Sequence, residues 1–255
     1  MFRRAAFLLA LVSAMFIAST GSASAILHGQ PDGDAHPYVG MVTDEVFVCS
    51  GALISPTVFI TAAHCFDTPG QAVEVTVDPD GFAEDSVFYS GHWYPDPQFC
   101  IACSGGLVGF DTHDVAVVIL DEPINVSSYA ELPSLNLVDS LPMRQRVDIV
   151  GYGLQDTENK LDPGELFTRY RAQAELIQAN GDIAPEFLKV TANPAQGKGG
   201  TCFGDSGGPI LLGSTILGVN SFVTNGQCAG VTYAYRIDTA EALAFIQSVI
   251  AAHTA

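Results

Sequence analysis

Gly204-Asp205-Ser206-Gly207-Gly208-Pro209 is the stretch of this chain best suited to do chemistry. A serine framed by glycines lets a carbonyl group approach the backbone closely, and unshielded N–H groups beside it can stabilise the oxyanion formed when the hydroxyl attacks. Such a hydroxyl needs a base. Thr61-Ala62-Ala63-His64-Cys65 sets an imidazole at the end of an apolar run, beside a cysteine able to pin it. His113-Asp114 precedes Val115-Ala116-Val117-Val118-Ile119-Leu120, a run too apolar to lie exposed. Asp114 therefore stands at the mouth of a buried strand, where an unpaired charge is costly and an imidazole N–H is a good donor. Nucleophile, general base and orienting carboxylate are the groups that acyl transfer needs. Taken singly, His64 also reads as a satisfied core histidine, Asp114 as a turn cap and Ser206 as a small residue in a tight turn.

The G-x-S-x-G pattern also fits the nucleophile elbow of α/β-hydrolases, which requires a helix after the serine and a histidine later in the chain. Neither suits this sequence. Pro209 and the β-rich Ile210 to Val219 follow Ser206, and the only later histidine is His253, two residues from the end.

The elements that must position these groups read as short strands. Val, Ile and aromatic runs punctuated by Gly, Pro, Asn and Asp recur throughout, which is the pattern of an all-β sandwich or barrel. In the first half the expected strands are Val48 to Ser55, Thr57 to Ala62, Ala72 to Val77, Ser86 to His92 and Val115 to Leu120. A soft break rich in Ser, Pro and acidic residues, Asn125 to Pro142, separates them from Arg146 to Tyr152, Glu165 to Ala172, Phe187 to Ala192, Pro209 to Asn220 and Val231 to Ile237. One helix is expected, at the end. Asp238 would cap it, and Ala242, Leu243, Phe245, Ile246, Val249 and Ile250 make one apolar stripe that would pack on the second half.

With 255 residues, 48% of them apolar, the chain can fill a substantial core. Arg3 and Arg4, the apolar run Ala5 to Ala18 and Ala23-Ser24-Ala25 have the form of a secretory signal over residues 1–25, too short for a membrane span of about 20 apolar residues. The expected protein is therefore secreted and extracellular, with no membrane association after signal removal. The formal net charge is −18, and loss of residues 1–25 removes two arginines and no carboxylate, giving −20. A field of that sign repels phosphate backbones, so no nucleic-acid partner is expected, and it is compatible with cationic peptides. Six cysteines in an exported chain point to disulfides, whose pairing composition leaves open.

The chain resembles the chymotrypsin and trypsin family of serine peptidases over nearly all of its mature length. The resemblance rests on Cys49-Ser50-Gly51-Ala52-Leu53-Ile54-Ser55, Thr61 to Cys65, Asp114 to Leu120, Gly151-Tyr152-Gly153, Gly204 to Pro209 and Tyr233-Ala234-Tyr235-Arg236-Ile237, in the order His, Asp, Ser. It implies two six-stranded antiparallel β-barrels with a C-terminal α-helix, divided as 26–130, 131–237 and 238–253. His64, Asp114 and Ser206 would form the triad, and the N–H groups of Gly204 and Ser206 the oxyanion hole. Cleavage after Ala25 would free Ile26, whose ammonium would pair with Asp205. The resemblance further implies disulfides Cys49–Cys65 and Cys202–Cys228, protein or peptide substrates, protein inhibitors as partners, a monomer, and no cofactor or metal.

Cys100 and Cys103 have no common family counterpart, and a local disulfide between them is expected, because a lone C-x-x-C supplies only two of zinc's four ligands. By resemblance the pocket floor falls at Gly200 and its walls at Val223 and Gly230, with Ser221-Phe222 as the strand that binds substrate backbone. An uncharged pocket narrowed by valine favours small or medium apolar side chains. Asp78-Pro79-Asp80-Gly81, with Glu84 and Asp85, fails the EF-hand pattern and reads as a solvated turn. Two rival functions remain open at this point: a catalytically silent binding homologue, and a secreted esterase using the same serine.

Overall fold

In a computed structural model of the protein, residues 26, 29–100, 113–154, 167–178, 185–192 and 199–253 are described. The signal-like segment 1–25 and Cys103 lie outside them. Among the described residues no helix is long and apolar enough to cross a membrane.

A two-residue strand β1 (Gln30–Pro31) leads into β2 (Val39–Thr43), β3 (Val48–Ser55), β4 (Val58–Thr61), β5 (Ala72–Thr76), β6 (Tyr89–Pro95) and β7 (Ala116–Leu120). These last six close into an antiparallel barrel in the order β2-β3-β4-β7-β6-β5. The second barrel takes β8 (Arg146–Gly151), β9 (Tyr170–Gln178), β10 (Phe187–Ala192), β11 (Pro209–Leu212), β12 (Thr215–Val223) and β13 (Gly230–Arg236). Its order is β9-β10-β13-β12-β11-β8; pairing of β8 with β9 closes it, and β1 adds to β9. Closure removes the strand edges that would otherwise expose unpaired backbone groups. The fold is the pair of six-stranded barrels expected from the sequence.

Four expectations need correction. β2 was not anticipated: Val39-Gly40-Met41-Val42-Thr43 is buried at every position, so it lacks the alternation that marks a half-buried strand. The expected strand Pro209 to Asn220 is two strands folded at Gly213-Ser214, with Gly213 at φ +64° in a two-residue hairpin turn. β6 starts three residues later than expected because the Val87 N–H is captured by the Asp78 carboxylate at 2.6 Å. β9 likewise lies later, because Phe167 takes a left-handed φ of +73° and Thr168 bridges to Asp80 before pairing begins.

The terminal helix α1 (Ala240–His253) is present, with two corrections. Its cap is Thr239, whose hydroxyl accepts the Ala242 N–H at 3.2 Å. Asp238 instead turns inward to pair with Arg236, with Nε to Oδ1 at 2.9 Å. The helix lies on β7, in the first barrel. Its inward side chains Ala242 and Ile246 join the core that runs from the first barrel into the seam, whereas the second barrel fills its own interior with residues such as Ile149, Leu176, Val190 and Leu217.

The seam is fastened by Arg169, which is 1% exposed. Its guanidinium donates to Asp32 Oδ2 (3.1 Å), the carbonyls of Gly33 (2.6 Å), Val39 (2.8 Å) and Val77 (2.7 Å), and the Tyr152 hydroxyl (3.2 Å). One side chain from the second barrel thus satisfies acceptors on the N-terminal segment and the first barrel.

Candidate active site

His64 sits on a single 3-10 turn, Ala63–Cys65, directly after β4. The Cys49–Cys65 disulfide ties that turn back to β3. The His64 N–H donates to Asp114 Oδ1 at 3.0 Å, and its ring Nδ1 lies 2.8 Å from Oδ2. Asp114 is wholly buried just before β7. Burial alone would raise its pKa, but the His64 charge and hydrogen bonds from the His64 ring, the Ser221 hydroxyl and the His64 backbone outweigh it and hold the carboxyl below its ordinary value. An ionised Asp114 can only accept, so the ring proton resides on Nδ1.

Ser206 belongs to the second barrel, at the loop before β11. Its carbonyl accepts the Ser50 N–H at 2.8 Å. Gly207, at φ +77°, has no room for a side chain: a Cβ there would come within 2.2 Å of Thr61 Oγ1, on the strand that delivers His64. Close approach of the two backbones thus places Ser206 and His64 on the walls of one cleft of about 520 Å³.

The loop ahead of the serine is fixed peptide by peptide. Leu154 N–H donates to the Phe203 carbonyl (2.7 Å), the Ser50 hydroxyl to the Gly204 carbonyl (2.8 Å), and Gly208 N–H to the Asp205 carbonyl (2.9 Å). The N–H groups of Gly204 and Ser206 make no hydrogen bond with the described residues. The wholly buried Asp205 accepts the N–H of Gly153 at Oδ1 and of Cys202 at Oδ2, both at 2.8 Å. Burial pushes its carboxyl up to about 7, against the pull of those two donors. Ile26 is buried in the second-barrel core, and in the full chain its nitrogen is a peptide nitrogen rather than an ammonium.

Of the expected substrate-binding residues, Ser221 and Val223 line the cleft, together with Phe203, Phe222 and Thr201. The Ser221 hydroxyl turns to Asp114 Oδ2, a role the sequence did not signal. Gly200 and Gly230 are not among the residues that line the cleft: a Cβ added at Gly200 would meet the Ala192 Cβ at 2.4 Å, and Gly230 pairs with Ala192 across β10 and β13. Above Gly200, Thr201 and Thr232 bond hydroxyl to hydroxyl at 2.9 Å. The Cys202–Cys228 disulfide ties Cys202, which lines the cleft, to the connection between β12 and β13.

Cys100 is disulfide-bonded, and its expected partner Cys103 lies outside the described residues. Cys49, His64 and Cys65 approach one another closely, but the two sulfurs are bonded to each other and offer no thiolate to a metal. In the acidic turn, Asp78 is occupied by its own loop, accepting from Val87 and Thr76.

The family model described as Trypsin matches residues 28–246. Brachyurin of Leptuca pugilator is 27% identical over 196 residues, covering 75% of this chain and 81% of its own. The cercarial protease of Schistosoma mansoni is 28% identical, covering 72% and 74%. Among solved structures, an inactivated protease paralogue of the scabies mite superposes with a TM-score of 0.67 at 17% identity, covering 86% of this chain and 94% of its own.

Proposed function

The chain belongs to the trypsin family of serine proteases, and from that premise we propose that it is a secreted serine endopeptidase working through an acyl-enzyme, with His64, Asp114 and Ser206 as its triad. The observation that carries this reading is the His64–Asp114 pair, bonded at 2.8 and 3.0 Å, with His64 lining the same cleft as Ser206. Ser206 Oγ attacks the scissile carbonyl while His64 Nε2 takes its proton; the imidazolium, held by Asp114, then gives that proton to the leaving amine. The N–H groups of Gly204 and Ser206 receive the oxyanion. Water repeats the two proton transfers in reverse and releases the acid.

Residues 1–25 act as the export signal and Ile26 becomes the N-terminus, its ammonium pairing with Asp205. The two N–H donors on Asp205 leave its charge uncompensated, which supports this role. A protein with one extra residue before Ile26 should lose activity. Val223, in a cleft whose described lining carries no acidic side chain, supports a preference for small or medium apolar side chains before the cut.

Digestion of a diverse peptide mixture by the protein starting at Ile26, read by mass spectrometry with Ser206→Ala as control, tests the reading. Cuts absent from the control are expected. Cleavage of small esters with peptides left whole would favour the esterase, and inertness of a folded protein toward both would favour the silent homologue, the state named for the mite paralogue.

A further inference from the structure

We propose that Ser50 is a positioning residue of the oxyanion frame, holding from the first barrel the loop that the second barrel supplies. The inference rests on the reading of Ser206 as nucleophile. Ser50 lies in β3 and is wholly buried. Its N–H donates to the Ser206 carbonyl and its hydroxyl to the Gly204 carbonyl, both at 2.8 Å, so the two residues whose N–H groups make no hydrogen bond with the described residues are each gripped by their carbonyls. The same hydroxyl accepts the Tyr152 N–H at 2.9 Å. A serine hydroxyl has one proton to give, and here it is given to Gly204.

The need for such a grip follows from Gly204 itself. At φ +95° it holds a conformation that glycine adopts readily and leaves as readily. Each peptide plane carries a C=O and the next residue's N–H pointing opposite ways. Leu154 holds the plane that contains the Gly204 N–H, through the Phe203 carbonyl. Ser50 holds the next plane, through the Gly204 carbonyl. With both planes held, Gly204 cannot rotate its N–H away from its present direction. The seat is shaped for a hydroxyl: a Cβ on Gly151 would lie 3.1 Å from Ser50 Oγ, and one on Gly208 3.1 Å from Ser50 Cβ. Deleting the hydroxyl leaves the Gly204 carbonyl and the Tyr152 N–H without their partner and frees the frame to rotate, while His64, Asp114 and the cleft walls stay in place.

The test compares the secreted protein with Ser50→Ala in three readouts: kcat and KM on a peptide substrate per Ser206 titrated to completion with a fluorophosphonate, the melting temperature, and amide exchange by mass spectrometry. Loss of one oxyanion donor costs about 100- to 1,000-fold, so a loosened donor should lower kcat about 10- to 100-fold. KM should stay within about two-fold and exchange should quicken selectively in the segment Phe203 to Gly208, because the triad and the cleft walls are untouched. A per-site kcat within about two-fold of native, or exchange raised evenly along the chain, overturns the proposal. If native protein neither cuts peptides nor reacts at Ser206, the peptidase reading fails, and exchange at 203–208 alone decides the role of Ser50. If Ser50→Ala does not fold, Ser50→Gly carries the same readouts; failure of both to fold makes Ser50 a folding residue and overturns the proposal.

Discussion

The Ser221 hydroxyl and the His64 ring converge on the same oxygen of Asp114, Oδ2. Ser221 comes from β12 of the second barrel, while His64 and Asp114 belong to the first, so this carboxylate is itself shared across the seam. Because the Ser221 bond helps hold the Asp114 pKa down, Ser221→Ala should raise it. A carboxyl depressed in the folded state stabilises the fold above its unfolded value, and that stability is lost as pH falls through the folded pKa. Ser221→Ala should therefore unfold at a higher pH on acid titration, followed by circular dichroism, and its kcat should fall about ten-fold as the His64 ring is less firmly oriented.

Asp205 titrates in the opposite sense. Its folded pKa, about 7, lies above the ordinary 3.8, so the folded chain binds this proton more tightly than the unfolded chain across that window. Stability should fall as pH rises from about 4 to 7, by up to about 1.4 kcal/mol per unit. In protein starting at Ile26 the ammonium favours the ionised carboxylate and the loss should shrink. Denaturant melts of the two forms at several pH values check this; identical slopes would remove the Ile26–Asp205 pair from the account.

A charge placed at Gly200 should not by itself confer a preference for Lys or Arg. Gly200→Asp must displace Ala192, whose Cβ stands 2.4 Å from the new Cβ. Overpacking of this kind costs about 1–3 kcal/mol, and the buried carboxylate adds to it. The single variant should melt lower and gain no basic cleavage. Gly200→Asp with Ala192→Gly should recover stability and begin to cut after basic residues, as digests of the same peptide mixture would record.

Removal of Arg169 should be costly out of proportion to its size. Arg169→Met keeps much of the volume but takes the nearer guanidinium from Asp32, leaving it Arg171 at 3.7 Å and His36, and removes a donor from each of three carbonyls, Gly33, Val39 and Val77. Breaking a buried pair from one side costs about 3–5 kcal/mol, a loss that urea unfolding measures directly. Replacement of Asp32 alone should cost a comparable amount, for the same reason.

What the sequence made legible was local. The apolar run at Ala116–Leu120 announced a buried strand, the carboxylate before it demanded a donor, and the glycines around Ser206 marked a close approach of backbones. Val39–Thr43 escaped because burial on both faces erases the alternation by which a strand is read. Ser50, Arg169 and the side-chain role of Ser221 escaped for a different reason. Their partners lie 154, 137 and 107 residues away in the chain, at Gly204, Asp32 and Asp114, and no periodicity joins positions so far apart. Thr239 took the helix cap from Asp238 because a stronger partner, Arg236, was within reach of that carboxylate.

Arg169 also bears on how the molecule comes apart. Its N–H groups are divided between acceptors on the first barrel and on the N-terminal segment, and the guanidinium itself is buried. Separating the barrels while each stays folded would strand a guanidinium and its acceptors together, so neither half gains by opening alone. The two barrels should melt as one cooperative unit, giving a single calorimetric transition rather than a step for each.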